Sequence, residues 1–347
     1  EAPKGDASAA ARNRFEALGK MGAADELATM AAGVASSLTD PGIAQFAAQA
    51  ELARGRRAEA CARGRSAQAG ERPPPFILRL RAYCAAVTQD RAAADLALEV
   101  ARTAGAADAW YSGAVAAAGG APGARPPTAR YDNSLATALS LAAQLRPGPN
   151  PLANASTLSL LALARADAAP QPQRAQAAAM AYRRGALGAS EARAILRATP
   201  AEITSALPPF VAALRQVEGA PGSLAAAAAI SGVLRQAASP ADFIAASRFF
   251  KDDIAGFQNA PDQAGALVFA RAAVAAGDAS LAQRLMASAR QAGVAEASLA
   301  PLDAALAALG EMTGEAGRVA MHRRMDAGGA SLARAAARDV AILSALG

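Results

Sequence analysis

The chain is poor in the residues from which catalytic and metal sites are built. Its 347 residues include one histidine, His322, and two cysteines, Cys61 and Cys84. A Ser–His–Asp or Cys–His site would need His322 as its base, and no nucleophile-elbow pattern is present to complete one. Neither cysteine has a second ligand at the spacing of a zinc site. The sequence therefore predicts a protein that is not an enzyme, with no catalytic residue, no bound metal and no cofactor.

Lysine and aromatic residues are scarce as well. Only three lysines occur, so arginines carry almost all of the positive charge behind the formal net charge of +6. These arginines are mixed with acidic residues, and the densest cluster, residues 54–65, lacks interleaved aromatic side chains on which bases would stack. We therefore expect no nucleic-acid partner, although a weak electrostatic preference for acidic partners stays open. No run of 18 apolar residues occurs, which predicts that no segment spans a membrane.

Alanine is what the chain has in abundance. Alanine has the highest helix propensity of all residues and loses no side-chain entropy in a helix. Strand-forming residues are few, with aromatic residues at only 4% of the chain. This composition predicts an all-α protein. It gains its stability from close packing over many helices, because each alanine buries little apolar area.

The alanines recur with a fixed period. Ala48, Ala60 and Ala67 are followed after 34 residues by Ala82, Ala94 and Ala101 (82 − 48, 94 − 60 and 101 − 67). Small side chains at regular phases let two antiparallel helices, and then the next pair, approach closely. A period of this length is typical of stacked helix–turn–helix units.

A third copy of the pattern lies far downstream. Residues 267–293 align without gaps on residues 79–105. The match includes residue types that an alanine-rich composition does not supply by chance. The residues that match are Ala270, Ala282 and Ala289 at the small positions, and Asp278, Arg290 and Gly293 on Asp90, Arg102 and Gly105.

This pattern resembles the tetratricopeptide repeat over residues 40–108 and 263–330. Gly55 stands where that family has a glycine between its two helices, whereas the second unit has Gln89 and Asp90 there. The repeats are degenerate, since no aromatic residue occupies the family's fourth position and the closing proline is absent. The resemblance implies antiparallel helix–turn–helix repeats stacked into an α-solenoid or superhelix.

The resemblance also implies a concave groove, lined by the first helix of each unit, that binds a protein or peptide. Carried over position by position, it places the groove at Gln45, Gln49, Phe76, Arg79, Tyr83 and Arg271, with Leu52, Val87, Leu267 and Val274 beside them. Arginine and tyrosine often anchor interfaces, and an extended peptide or its terminal carboxylate would fit such a surface. The alternative is that Phe76 and Leu267 belong to packing between repeats and that the arginines are solvated.

The two cysteines favour an oxidising compartment. The Pro-rich turn at residues 70–75 lies midway between Cys61 and Cys84, and antiparallel helices joined there would bring them to the same height. A disulfide is then expected, with two reduced buried thiols as the alternative. The chain begins Glu1-Ala2-Pro3, which fits an exported protein freed of its signal peptide or a trimmed chain. We expect the bacterial periplasm or cell envelope.

Glycine and proline divide the chain. Residues 119–131 cannot form a helix over most of their length and are expected to be a linker or a long loop. The expected domains are residues 1–118, with the tetratricopeptide-like repeats, and residues 132–347, a second helical-repeat array.

Together these features predict a non-catalytic scaffold of the cell envelope that binds proteins or peptides on a helical-repeat surface. The alternative is an accessory superhelical module that acts on or regulates cell-wall enzymes. The helical ring of soluble lytic transglycosylases is similar in composition. That family's catalytic glutamate motif is absent from this sequence, so such a role would be regulatory or would consist of binding cell-wall components.

Overall fold

The computed structural model describes residues 7–33, 40–67, 74–121, 123, 125–200, 202 and 207–326, together with residues 334, 337, 338 and 341. Part of the turn predicted at residues 70–75 lies outside these ranges. The described residues form helices and no strands, which confirms the all-α prediction. Contacts divide the chain into two compact units, Glu1–Ile203 and Thr204–Gly347, called unit 1 and unit 2 below.

Unit 1 contains eleven helices among its described residues. They are α1 (Ala7–Met21), α2 (Ala24–Gly33), α3 (Pro41–Ala53), α4 (Arg57–Ser66), α5 (Pro75–Val87), α6 (Arg91–Thr103), α7 (Ala109–Ala118), α8 (Ser134–Ala142), α9 (Thr157–Arg165), α10 (Gln171–Arg183) and α11 (Ala189–Arg197).

Unit 2 contains eight more helices in its described part. They are α12 (Pro209–Gly219), α13 (Leu224–Arg235), α14 (Pro240–Phe249), α15 (Lys251–Gly256), α16 (Gln263–Ala275), α17 (Ala279–Gln291), α18 (Glu296–Ala308) and α19 (Gly314–Asp326). None of the helices in the described part of the chain is both long and apolar enough to cross a membrane.

Short polar side chains and prolines set where many of these helices begin. Asp90 accepts a hydrogen bond from the backbone N–H of Ala93, and Asp278 does the same for Leu281. These side chains satisfy backbone donors that a helix start leaves without partners. Proline occupies the first turn of α3 and α5, where its missing N–H costs nothing.

The helix pairs repeat as the sequence predicts. Helices α3 and α5 begin and end 34 residues apart (75 − 41 and 87 − 53), and α4 and α6 begin 34 residues apart (91 − 57). The pair α16/α17 has the bounds of α5/α6 shifted by a constant (263 − 75 and 291 − 103 are both 188). Each pair turns through a residue in the left-handed region, at Gly55, Gln89 and Gly277. Glycine adopts this backbone freely, whereas Gln89 does so at a cost.

The small residues lie inside, where the period places them. Within each pair, the two helices contact one another. All nine alanines at the three phases are at most 5% exposed. They are Ala48, Ala60, Ala67, Ala82, Ala94, Ala101, Ala270, Ala282 and Ala289.

Unit 1 also has contacts between helices that are far apart in sequence. Helix α3 contacts α8 and α9, α1 contacts α9, and α5 contacts α8. Ion pairs reinforce this closure, since Asp25 on α2 binds Arg54 at 2.9 Å and Arg165 on α9 at 3.5 Å. Arg165 also binds Glu191 on α11 at 2.7 Å. In a simple stack each repeat contacts only its neighbours, so α8 and α9 depart from that arrangement and the superhelix stays a prediction.

The Gly- and Pro-rich segment at residues 119–131 joins α7 to α8 within unit 1. The backbone N–H of Ala129 donates to the carbonyl of Arg146 at 2.9 Å, and the indole N–H of Trp110 donates to the carbonyl of Thr128 at 2.6 Å. Its last residues are thereby hydrogen-bonded to α7 and to the loop that follows α8. The compact units divide at residues 203 and 204, and the predicted division into residues 1–118 and 132–347 stays a prediction.

Candidate partner-binding site

The residues predicted to line a groove in unit 1 lie on α3 and α5 and are largely covered. Gln45, Gln49, Phe76 and Arg79 are half-buried, and Tyr83 is 3% exposed. The cover comes from within the chain, because α8 contacts both α3 and α5 and α9 contacts α3. The face that the resemblance assigns to a peptide is thus partly occupied by the chain's own helices.

Two of these residues have structural contacts. The Arg79 side chain donates through Nε to the carbonyl of Ala106, and the carbonyl of Arg79 accepts from the hydroxyl of Tyr111 on α7. The guanidinium also lies 6.0 Å from the centre of the Tyr111 ring, within cation–π range. Phe76 packs against the buried cluster that includes Ile77. These contacts join α5 to its neighbours. For Phe76 they agree with the alternative interpretation, in which this residue belongs to packing between repeats.

Arg271 is the one predicted groove residue in unit 2. It lies on α16 and is exposed, at the phase that Tyr83 occupies on α5 (271 − 83 is 188). The structure therefore groups five of the six predicted residues on two helices of unit 1 and leaves Arg271 in a separate unit. Their role in binding a partner stays a prediction.

A cavity of about 740 Å³ opens where α3, α4 and α5 face α8 and α9. Its apolar lining includes Leu52, Ala138, Leu141, Ala162 and Tyr83, together with four further alanines. Charged side chains line it as well, namely Arg56, Arg57, Glu59, Arg165 and Asp167.

Tyr83 gives this cavity a polar group. Burial raises the pKa of Tyr83 to about 12, and the Arg57 charge lowers it part of the way back. The phenol therefore keeps its proton at neutral pH. Its hydroxyl makes no hydrogen bond to another described residue. The hydroxyl of a buried tyrosine usually has a hydrogen-bond partner. Because the Tyr83 hydroxyl has none within the described chain, it is available to a ligand.

The charges around the cavity fall into two groups. Arg165 is bound by Glu191 and Asp25, and Asp167 is bound by Arg174 at 2.8 Å. These side chains hold the helices together. The others, Arg56, Arg57 and Glu59, are exposed at the start of α4 and have no ion-pair partner among the described residues. Two arginines against one glutamate leave this side of the cavity net positive.

The start of α4 is held firmly beside α5. Cys61 on α4 and Cys84 on α5 lie at disulfide distance, with their Cα atoms 5.8 Å apart. This is the pairing that the sequence predicts, and it links the helix that begins at Arg57 to the helix carrying Tyr83.

The described residues contain no cluster of three or more His, Cys, Asp or Glu side chains that would hold a metal ion. His322, which any histidine-dependent site would need, lies in unit 2 on α19 and is exposed. The cavity offers apolar surface, the Tyr83 hydroxyl and positive charge, while the hydroxyl of Thr137, which also lines it, is hydrogen-bonded to Asn133 and Ser159.

Half of the cavity lies outside the repeats that the sequence reveals. Thr137, Ala138 and Leu141 on α8 and Ala162 on α9 belong to helices with no 34-residue counterpart. In the sequence, α8 and α9 appear only as two short helices with spaced apolar residues. That pattern does not indicate that they pack over α3 and α5. Comparison of the chain with family models, with curated proteins and with solved structures gives no match.

Proposed function

We propose that this protein is a non-catalytic scaffold that binds a protein partner by a short peptide segment in the cavity of unit 1. The observation that supports the proposal is the pairing of an apolar lining with an unpartnered tyrosine hydroxyl and two unpaired arginines. Repeated helix pairs with buried alanines build the wall that carries these groups. The resemblance to tetratricopeptide repeats supports the same kind of function.

The size and charge of the cavity define the ligand. A volume of about 740 Å³ falls within the roughly 300–1,000 Å³ of ligand-binding clefts, which is room for a few residues rather than a folded domain. Apolar side chains would bury against Leu52 and Leu141. A carboxylate at the end of the segment would bind Arg56 and Arg57 and accept a hydrogen bond from Tyr83.

The proposed location is the bacterial cell envelope. Disulfides persist in oxidising compartments and are rare in the cytosol. The Cys61–Cys84 pair and the absence of any other cysteine support such a compartment. Nucleic acid is not proposed as a partner, because the positive charge at the cavity has no aromatic platform for bases beyond Tyr83.

The test uses short peptides with apolar ends, each with a free C-terminal carboxylate or an amide. Binding to the purified chain is followed by fluorescence anisotropy. We expect the double variant Arg56→Glu/Arg57→Glu to weaken binding of the carboxylate peptides by about tenfold or more, because two charge-assisted contacts become repulsive. Amidation is expected to have a similar effect.

The matched control is Arg63→Glu/Arg65→Glu, which changes the same charge on the same helix at residues that do not line the cavity. If both double variants weaken peptide binding equally, the effect comes from the net charge of the chain and not from contacts in the cavity. If neither double variant changes the affinity for the peptides, the cavity is not the binding site. Co-sedimentation with purified peptidoglycan tests the cell-wall alternative. That alternative requires the chain to bind peptidoglycan equally well with and without the Arg56→Glu/Arg57→Glu substitutions.

A further inference from the structure

A second cavity lies in unit 2, where the loop after α18 meets α19. It has a volume of about 320 Å³, and three methionines and the only histidine of the chain line it. They are Met312, Met321, Met325 and His322. The whole chain has seven methionines, so nearly half of them surround this one cavity. No part of the proposed function uses them.

The backbone brings these side chains together through a glycine. Gly317, Met321 and Met325 are spaced four residues apart on α19 and so share one face of the helix. A Cβ atom at Gly317 would lie 2.5 Å from the carbonyl oxygen of Met312, closer than atoms tolerate. Only glycine therefore lets the loop carrying Met312 approach the methionine face of α19.

Core packing accounts for these residues only in part, since Met312 and Met321 are half-buried. Met325 is 38% exposed and His322 is exposed, whereas Met286 on α17 is 1% exposed, as a core methionine is expected to be. Exposed apolar side chains lose the free energy that their burial would contribute. All three methionines and His322 line the same open cavity.

The donor set selects a class of metal ion. Thioether sulfur and neutral imidazole are soft or intermediate ligands, and no carboxylate is among the described residues that line the cavity. Calcium, magnesium and manganese need oxygen ligands, whereas copper in its +1 state prefers methionine and cysteine sulfur. Arg318 also lines the cavity, but its charge is compensated by an ion pair with Glu315.

We propose that Met312, Met321, Met325 and His322 form a binding site for monovalent copper. Neutral ligands suit an ion of single charge, because no excess negative charge is left on the site. Thioethers also suit an oxidising compartment, where free thiols would be consumed as disulfides. The site takes up the ion without any redox step by the protein.

The test is an anaerobic titration of the full chain with Cu(I) in competition with a chromophoric chelator. We expect one equivalent to bind, and the triple variant Met312→Leu/Met321→Leu/Met325→Leu to weaken binding by about a hundredfold or more. His322→Gln is expected to weaken it less. Leucine keeps the volume and apolarity of methionine, so folding is preserved. Bound Cu(I) should also raise the melting temperature of the unsubstituted chain and leave that of the triple variant unchanged.

The matched control is Met21→Leu, which removes an exposed methionine, 57% accessible, from unit 1. Methyl NMR of methionine-labelled protein with Ag(I), a diamagnetic substitute for Cu(I), should shift the signals of Met312, Met321 and Met325 and leave that of Met21 in place. Binding of equal strength by the triple variant would overturn the proposal. So would a chain that takes up no Cu(I) in competition with the chelator.

Discussion

Helices α5/α6 in unit 1 and α16/α17 in unit 2 have the same lengths and the same turn, yet they differ in what covers them. Tyr83 and Arg271 occupy the same phase on the first helix of each pair. Tyr83 is 3% exposed beneath α8, whereas Arg271 is exposed. The repeat therefore sets the backbone of a pair, and the outer face takes its character from helices that do not belong to the repeat.

The second helices of the two pairs differ in a similar way. Arg102 forms an ion pair with Glu99 on its own helix, and both side chains are more than half exposed. Arg290, at the matching position, binds Glu296 and the buried Asp303 on α18. One matching residue type thus serves as surface charge in unit 1 and as a link to the next helix in unit 2.

Removing the disulfide should give the largest difference in local stability between the pair α5/α6 and the pair α16/α17. Replacing Cys61 and Cys84 by alanine opens a loop closed across 23 residues, which the chain-entropy account values at about 3 kcal/mol. We expect hydrogen exchange in α4 and α5 to become faster by about two orders of magnitude. Exchange in α16 and α17 should stay unchanged. Equal acceleration in both pairs would show that the units do not unfold separately.

The buried alanines should respond equally in both pairs. Ala94→Leu and Ala282→Leu insert three carbon atoms at the same phase of α6 and α17, where the alanines are 5% and 0% exposed. Each should cost about 1–3 kcal/mol through overpacking. The measurement is urea unfolding, with the exposed Ala92→Leu and Ala287→Leu as controls. An unchanged midpoint for either buried variant would contradict the shared register of the two pairs.

The two arginine substitutions should cost less stability than the disulfide or the alanine substitutions, and they should differ from one another. Arg290→Gln removes the ion pair of Asp303, whose side chain is 9% exposed, and leaves only the weaker effect of the Arg323 charge. We expect a loss of about 1–2 kcal/mol. Arg102→Gln removes an exposed pair and should cost less than about 0.5 kcal/mol. Unfolding at neutral pH measures both, and equal losses would contradict the assigned link between α17 and α18.

The pH dependence of the Arg290→Gln variant sharpens this test. Burial raises the pKa of Asp303 above its usual value, and the Arg290 charge lowers it part of the way back. A carboxyl whose pKa is higher in the folded state stabilises the fold below its unfolded pKa, and this contribution is lost as the pH rises through the folded pKa. Without Arg290 the pKa of Asp303 rises further. The deficit of the variant should therefore shrink as the pH is lowered.

The repeated helix pairs were open to prediction because their signals are local. Period, small residues and helix-capping aspartates all act within one pair, and the bounds of α5/α6 and α16/α17 follow from them. Gln89 shows the limit of such reasoning, since the turn keeps its left-handed backbone without glycine. Its side-chain amide donates to the carbonyls of Ala86 and Ala118, which offsets part of the cost.

The candidate sites were less open to prediction because they depend on distant contacts. Tyr83 was assigned to a groove by its phase, but only the packing of α8 and α9 creates the cavity beside it. The sequence predicts no bound metal, and it gives no sign that methionines gather around His322. The approach of Met312 to α19, which only glycine at position 317 permits, is invisible in the sequence spacing.

The contact of α3 with α9 constrains the order in which the chain can acquire its structure. A linear array completes each repeat as soon as the next one is available. Here α2 lacks the Arg165 partner of Asp25, and α3 lacks the surface it packs against, until α9 has been synthesised. The early helices therefore leave the ribosome with an unfinished core, and fragments cut between α7 and α8 should aggregate rather than behave as shorter versions of the whole.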